Sequence, residues 1–364
     1  MSIDRRHLLK TSAALSTGLL LPGALRAQIL APNPDAWRTF EVVTNLEIGK
    51  PEGKAQAWIP IPAVHEADWI RPLGNTWKTE AKAAVSRDPR FGAEMLHVEW
   101  ADGDPADVEV TSRVATRSRA IDLSMPDTAG ALSDAERRRY TAATTLIPTD
   151  GIVKETSDRI TTGARTDLEK AKAVYEWIVD NTYRNAKTRG CGDGDIVALL
   201  SSGDLGGKCA DLNGLYVGLM RAANIPARDV YGIRVAVSKF GYKSLGANSG
   251  VITKAQHCRA EVYLNGFGWV PVDPADVRKV VLEEPPTNLA LDDPKVVAAR
   301  KALFGAWEMN WIAYNFAQDV VLPGARGPLV GFLMYPQAET AAGRLDCLDP
   351  DKFHYTITAR ELAA

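Results

Sequence analysis

Residues 206–228, GGKCADLNGLYVGLMRAANIPAR, constrain this chain more than any other stretch. Leu212, Leu215, Tyr216, Leu219, Met220 and Ala223 recur at three- and four-residue steps, which predicts an amphipathic helix with its apolar stripe against a core. Asn224-Ile225-Pro226 ends it. Cys209 precedes Leu212 by three residues on the same stripe, so its sulfur is expected to point inward at the helix N-terminus. Unpaired backbone N–H groups and the helix dipole favour a thiolate there. Gly206-Gly207 would let the backbone approach a bound carbonyl closely.

A second stretch, residues 256–277, reads as two strands joined by a tight turn at Asn265-Gly266. His257 sits on the first strand and Asp273 at the end of the second. Cys, His and Asp in that chain order supply a nucleophile, a general base and a group that orients the base. Register imposes a condition on them. Were the loop only Asn265 and Gly266, Leu264 would oppose Phe267, Asp273 would oppose Cys258, and His257 would point to the other face. A working site therefore requires an odd-length loop, a bulge, or a bend before Asp273, with His257 and Asp273 on one side.

These stretches resemble the transglutaminase-like domain, a branch of the papain-like cysteine enzymes. The resemblance rests on the Gly-x-Cys-x-Asp start, the exit Ile225-Pro226-Ala227-Arg228, the histidine strand, and Trp269-Val270-Pro271-Val272-Asp273-Pro274. It implies Cys209 as nucleophile, His257 as base and Asp273 as third member, with no cofactor and no metal. It also implies an oxyanion site made by the Cys209 backbone N–H and a side-chain donor near Trp177 or Tyr183, of which Tyr183 is the better candidate. The implied reaction is attack on a peptide or side-chain amide, resolved by water in an amidase or peptidase or by an amine in a transglutaminase. Hydrolysis is the first expectation, because exported bacterial members resemble hydrolases more often. The partner is then a peptide or protein substrate.

The rest of the chain fits an α+β protein: an N-terminal β-sandwich, then a transglutaminase-like (papain-like) catalytic domain, then a C-terminal extension. Residues 1–27, with Arg5-Arg6 ahead of an apolar run from Ala13 to Leu21, resemble a twin-arginine export signal. They imply a periplasmic protein without stable membrane insertion after cleavage. Residues 28–130 have strand character, as in the alternation Val108, Val110, Ser112, Val114, Thr116. Trp58, Trp69 and Trp77 there are expected to pack, or else to line a ligand surface. Residues 131–284 hold the catalytic domain, with capping boxes at Ser133 and Thr166 opening helices. Residues 285–364 should pack on the core. Trp307, Trp311, Tyr314 and Phe316 have helix-compatible spacing over Leu303 to Val321, and Phe353 to Thr358 alternates like an added strand.

A net charge of −2 offers no nucleic-acid footprint. The four cysteines, at 191, 209, 258 and 347, allow at most one disulfide if Cys209 stays free, between Cys347 and Cys191 or Cys258 among other pairings. A zinc site built from Cys191, Cys209, His257 and Cys258 is a separate hypothesis, as is a non-catalytic binding module. The zinc reading lacks any Cys-x-x-Cys spacing, and His257 and Cys258 are strand neighbours that face opposite ways.

Overall fold

Two antiparallel sheets stack their apolar faces to form the sandwich of this computed structural model, which describes residues 30–126, 130–350 and 353–363. The expected export signal lies outside the described residues. The first sheet runs in the order Tyr355–Leu362, Arg38–Gly49, Ala106–Thr116, Ile70–Lys78. The second runs Gly343–Arg344, Gln337–Thr340, Ala55–Ile61, Glu94–Trp100, Lys82–Arg87. Alternation drives the pairing of the two faces: Phe40, Val42, Val108 and Val110 from one sheet meet Ala57, Ile59, Leu96 and Val98 from the other in a single buried cluster.

Strands from both ends of the chain build this sandwich. The alternating tail becomes the strand Tyr355–Leu362 and pairs with the first strand from Thr39↔Leu362 to Leu46↔Tyr355. Trp69 packs inside, Trp58 is buried on the outer face of its sheet in a separate cluster with Phe91, Tyr140 and Leu322, and Trp77 is partly exposed.

A third sheet carries the chemistry. Its antiparallel order is Gly268–Val272, Gln256–Leu264, Ala227–Arg234, Trp311–Asn315. The helix Cys209–Ala222 lies on one face, backed by the helices Gly151–Thr161 and Asp167–Asn181. Cys258, Ala260, Val262 and Leu264 point into that helical core. The other face of the sheet turns toward the sandwich, where Val230, Ile233 and Ile312 join the sandwich cluster. Both capping boxes form, Ser133 with Glu136 and Thr166 with Glu169. Asn224 leaves the cysteine helix in the left-handed region with φ 59°, as its chemistry permits.

One expectation is corrected. Leu303 to Val321 is not a helix but the strands Ala306–Trp307, Trp311–Asn315 and Gln318–Val320. The strand Trp311–Asn315 is buried throughout, so its sequence carries no two-residue alternation to betray it. Trp307 and Trp311 instead meet edge to face, 5.9 Å between ring centroids.

Candidate active site

Cys209 is the first residue of its helix, where the N–H has no intrahelical acceptor. The helix start is tied down by Asp211, whose carboxylate accepts from Lys208 N (2.8 Å) and from Gly194 N (3.0 Å). Ala210 N donates to the carbonyl of Cys191 at 2.8 Å, drawing a second cysteine to the same place. The two glycines before Cys209 have a purpose other than substrate approach. A Cβ on Gly207 would lie 2.5 Å from Asp211 Cβ, and one on Gly206 would lie 2.2 Å from Tyr183 Cζ. The missing side chains make room for neighbours that hold the turn.

The hairpin satisfies the register condition. Leu264 pairs with Gly268 and Ala260 with Val272, so the loop is Asn265, Gly266 and Phe267, an odd three residues. Gly266 (φ 82°) and Gly268 (φ 72°) supply the left-handed backbone that this loop requires. His257 and Asp273 consequently fall on one side, with His257 Nε2 2.8 Å from Asp273 Oδ2. Asp273 also caps the helix Pro274–Glu283, by accepting from Asp276 N at 3.0 Å. Pro274 at the first helical position fixes where that helix starts.

Four residues that sequence reasoning missed complete the frame. Asn213, one turn along from Cys209, donates to Asp273 Oδ1 (3.1 Å) and to the Cys258 carbonyl (2.9 Å), linking the cysteine helix to both other elements. Asp276 Oδ2 lies 3.4 Å from His257 Nε2 and is held by the Arg234 guanidinium at 2.6 and 2.8 Å. Trp311 Nε1 donates to the His257 carbonyl at 2.8 Å. All of these side chains are buried. Asp276 had a local signal, a carboxylate three residues after an Asp-Pro cap; Asn213, Arg234 and Trp311 are joined to the site only by tertiary folding.

The electrostatics favour an ion pair. Burial and Arg234 both oppose charge on His257, yet Asp276, Asp273 and Cys209 outweigh them and push it up to about 9. Burial likewise opposes a thiolate at Cys209, but hydrogen bonds from the Cys191 and Cys258 thiols, and the charge and hydrogen bond of His257, hold it well below the usual thiol range. With Nε2 committed to Asp273, Nδ1 is the ring nitrogen that His257 can turn to sulfur.

Cys209 and His257 open on one cavity of about 490 Å³, lined also by Cys191, Gln256 and Tyr335. Tyr183, the expected oxyanion donor, is outside it: the ring is 41% exposed and the hydroxyl donates to Asp204 at 2.8 Å. Its two-residue strand pairs with Gly206-Gly207. Gln256 is a better-placed donor. It is buried, lines the cavity, and its Nε2 has no hydrogen-bond partner. All four cysteines are free thiols, so no disulfide joins Cys347 to Cys191 or Cys258. Cys191, Cys209, His257 and Cys258 do not converge as a metal-ligand set among the described residues, where the one such group is His257, Asp273 and Asp276. Arg234 and the imidazole already occupy those carboxylates.

Residues 154–274 match the transglutaminase-like superfamily. An uncharacterized protein of Haemophilus influenzae is 36% identical over 334 residues, covering 85% of this chain and 87% of that one. A crystal structure described as a candidate cysteine protease of Cytophaga hutchinsonii superposes with a TM-score of 0.51 at 13% identity, covering 90% of this chain and 99% of that one, a likeness of fold alone. The periplasmic domain of TgpA from Pseudomonas aeruginosa aligns at 15% identity and a TM-score of 0.36, covering 68% and 90%.

Proposed function

Because the chain belongs to the transglutaminase-like superfamily, we propose that it is an exported cysteine-dependent acyl-transfer enzyme acting on peptide or side-chain amides. The observation that carries this reading is the 2.8 Å His257–Asp273 pair beside a Cys209 sulfur whose surroundings favour the thiolate. The sulfur attacks the amide carbonyl and a tetrahedral oxyanion forms. The Cys209 N–H at the helix start and the Gln256 amide donate to that oxygen. His257 then gives its proton to the departing amine, while Asp273 keeps the ring oriented and stabilises its charge. The acyl-enzyme is resolved by water, with His257 as the base. The proposal of export to the periplasm rests on the resemblance of residues 1–27 to a twin-arginine signal, and no described helix is long and apolar enough to cross a membrane.

Gln256→Ala is expected to lower kcat by about 10²–10³-fold, the usual loss for one oxyanion donor, with little change in KM or melting temperature. Steady-state kinetics and a thermal scan check this; an unchanged kcat would remove Gln256 from the site. The reaction class is tested by incubating the protein with a glutamine-containing protein, with and without a primary amine. Chain cleavage or ammonia release without the amine marks a hydrolase. New amide cross-links that depend on the amine mark a transglutaminase, the second reading.

A further inference from the structure

Among the described residues, the cavity beside Cys209 is lined by Arg184, Lys208, Arg234, Lys254 and Lys279 and by no aspartate or glutamate. The whole chain is slightly acidic, with a net charge of −2, so this concentration of cations is local. Arg234 is committed to Asp276. Arg184 and Lys279 differ: they meet at one carboxylate, Glu283, which bonds Arg184 and lies 3.7 Å from the Lys279 ammonium, while the other carboxylate acting on Lys279, Asp276, is already paired with Arg234. Two cations facing one carboxylate leave a positive charge at the cavity wall. Lys279 bears the strain of this arrangement, since burial and the repulsion of Arg234 press its ammonium down to about 8. An arriving anion would relieve it through charge-assisted hydrogen bonds.

We infer that the amide substrate of this site carries a carboxylate close to its scissile bond, held by Lys279 and Arg184 with Lys208 nearby. The inference rests on the acyl-transfer reading and narrows it to acidic peptides. Such a carboxylate fixes the substrate's register in the cavity, so that the carbonyl to be attacked, and not a neighbouring one, meets the sulfur. Neutral peptides would lose that anchor and bind more weakly. Glu283 sets the strength of the anchor by neutralising part of the charge.

The test compares two alkylating probes of nearly equal size, anionic iodoacetate and neutral iodoacetamide, on the full chain at neutral pH. In both, the Cys209 thiolate forms a sulfur–carbon bond as iodide leaves, and the modified Cys209 peptide is quantified by mass spectrometry. Any effect of a cation on thiolate formation cancels in the iodoacetate-to-iodoacetamide rate ratio. That ratio is expected to exceed the value for a free small thiol by about tenfold or more, and to fall about three- to tenfold in Lys279→Gln and again in Arg184→Gln, the effect of removing one nearby charge. It should also fall as salt is raised in the unmodified protein, which needs no variant to fold. An acidic tripeptide should protect Cys209 at concentrations where its amidated counterpart does not. A ratio equal to that of a free thiol, or one indifferent to salt and to Lys279→Gln, overturns the anion site while Cys209 still reacts. Failure of Cys209 to react with either probe overturns the acyl-transfer reading, and the anion site with it.

Discussion

Cys209→Ala abolishes acyl transfer, with a loss of about 10⁴-fold or more, and leaves the fold in place. The size follows from chemistry: no other group in the cavity can form the covalent intermediate. Cys191 and Cys258 are close, but both thiols are buried, and that burial, which persists without the Cys209 sulfur, still opposes a thiolate at either, so neither replaces the lost one. The fold should survive because alanine suits the first position of a helix and Cys209 uses no disulfide. Product assays beside a melting curve decide the matter. Residual turnover within tenfold of the parent protein would place the nucleophile elsewhere.

The second large effect is on stability. Glu261 is fully buried on the histidine strand, bonded to Arg119 and, at 2.6 Å, to Arg228 Nε. Arg228 also pairs with Glu66 at 3.1 Å and lies over the Phe316 and Trp269 rings. Glu66 and Arg119 come from the sandwich side of the chain, so this carboxylate joins the sandwich to the sheet that carries His257. Removing it strands two guanidinium groups in a buried place. Glu261→Ala is therefore expected to destabilise by about 3–5 kcal/mol, read from urea unfolding. A loss under about 1 kcal/mol would mean that the arginines find other partners. Burial opposes the Glu261 charge, yet Arg228 and Arg119 hold its carboxyl below the ordinary value of 4.5. A depressed acid stabilises above its unfolded value, so this contribution is complete above about pH 4.5 and is lost as pH falls through the lowered folded value.

The cysteine helix was legible because its stripe and its Asn-Ile-Pro exit are local signals. The odd loop was legible only as a requirement. Asn265-Gly266 announces a turn, but nothing in that dipeptide says that Phe267 joins it, and the side chains of a whole strand depend on that one residue. The strand Trp311–Asn315 was misread because burial on both faces erases alternation, leaving aromatic spacing that imitates a helix. Arg234 was invisible for a different reason. It looks like an ordinary surface charge in sequence, and only folding buries it against Asp276, beside His257. Tyr183 was plausible by its position between the helix Asp167–Asn181 and Cys209, but Asp204 takes its hydroxyl.

The pH dependence of Cys209 alkylation by iodoacetamide, followed on the Cys209 peptide, bears on the thiolate–imidazolium pair at the centre of the account. Cys209 lies well below the usual thiol range and His257 at about 9, so the pair exists between those two values. The rate should already be high at neutral pH and nearly flat up to about pH 8. In His257→Ala the same rate should be low at neutral pH and rise only toward the ordinary thiol range of about 8.5. A parent protein whose alkylation climbs along that ordinary thiol curve, or a His257→Ala variant with an unchanged profile, would contradict it.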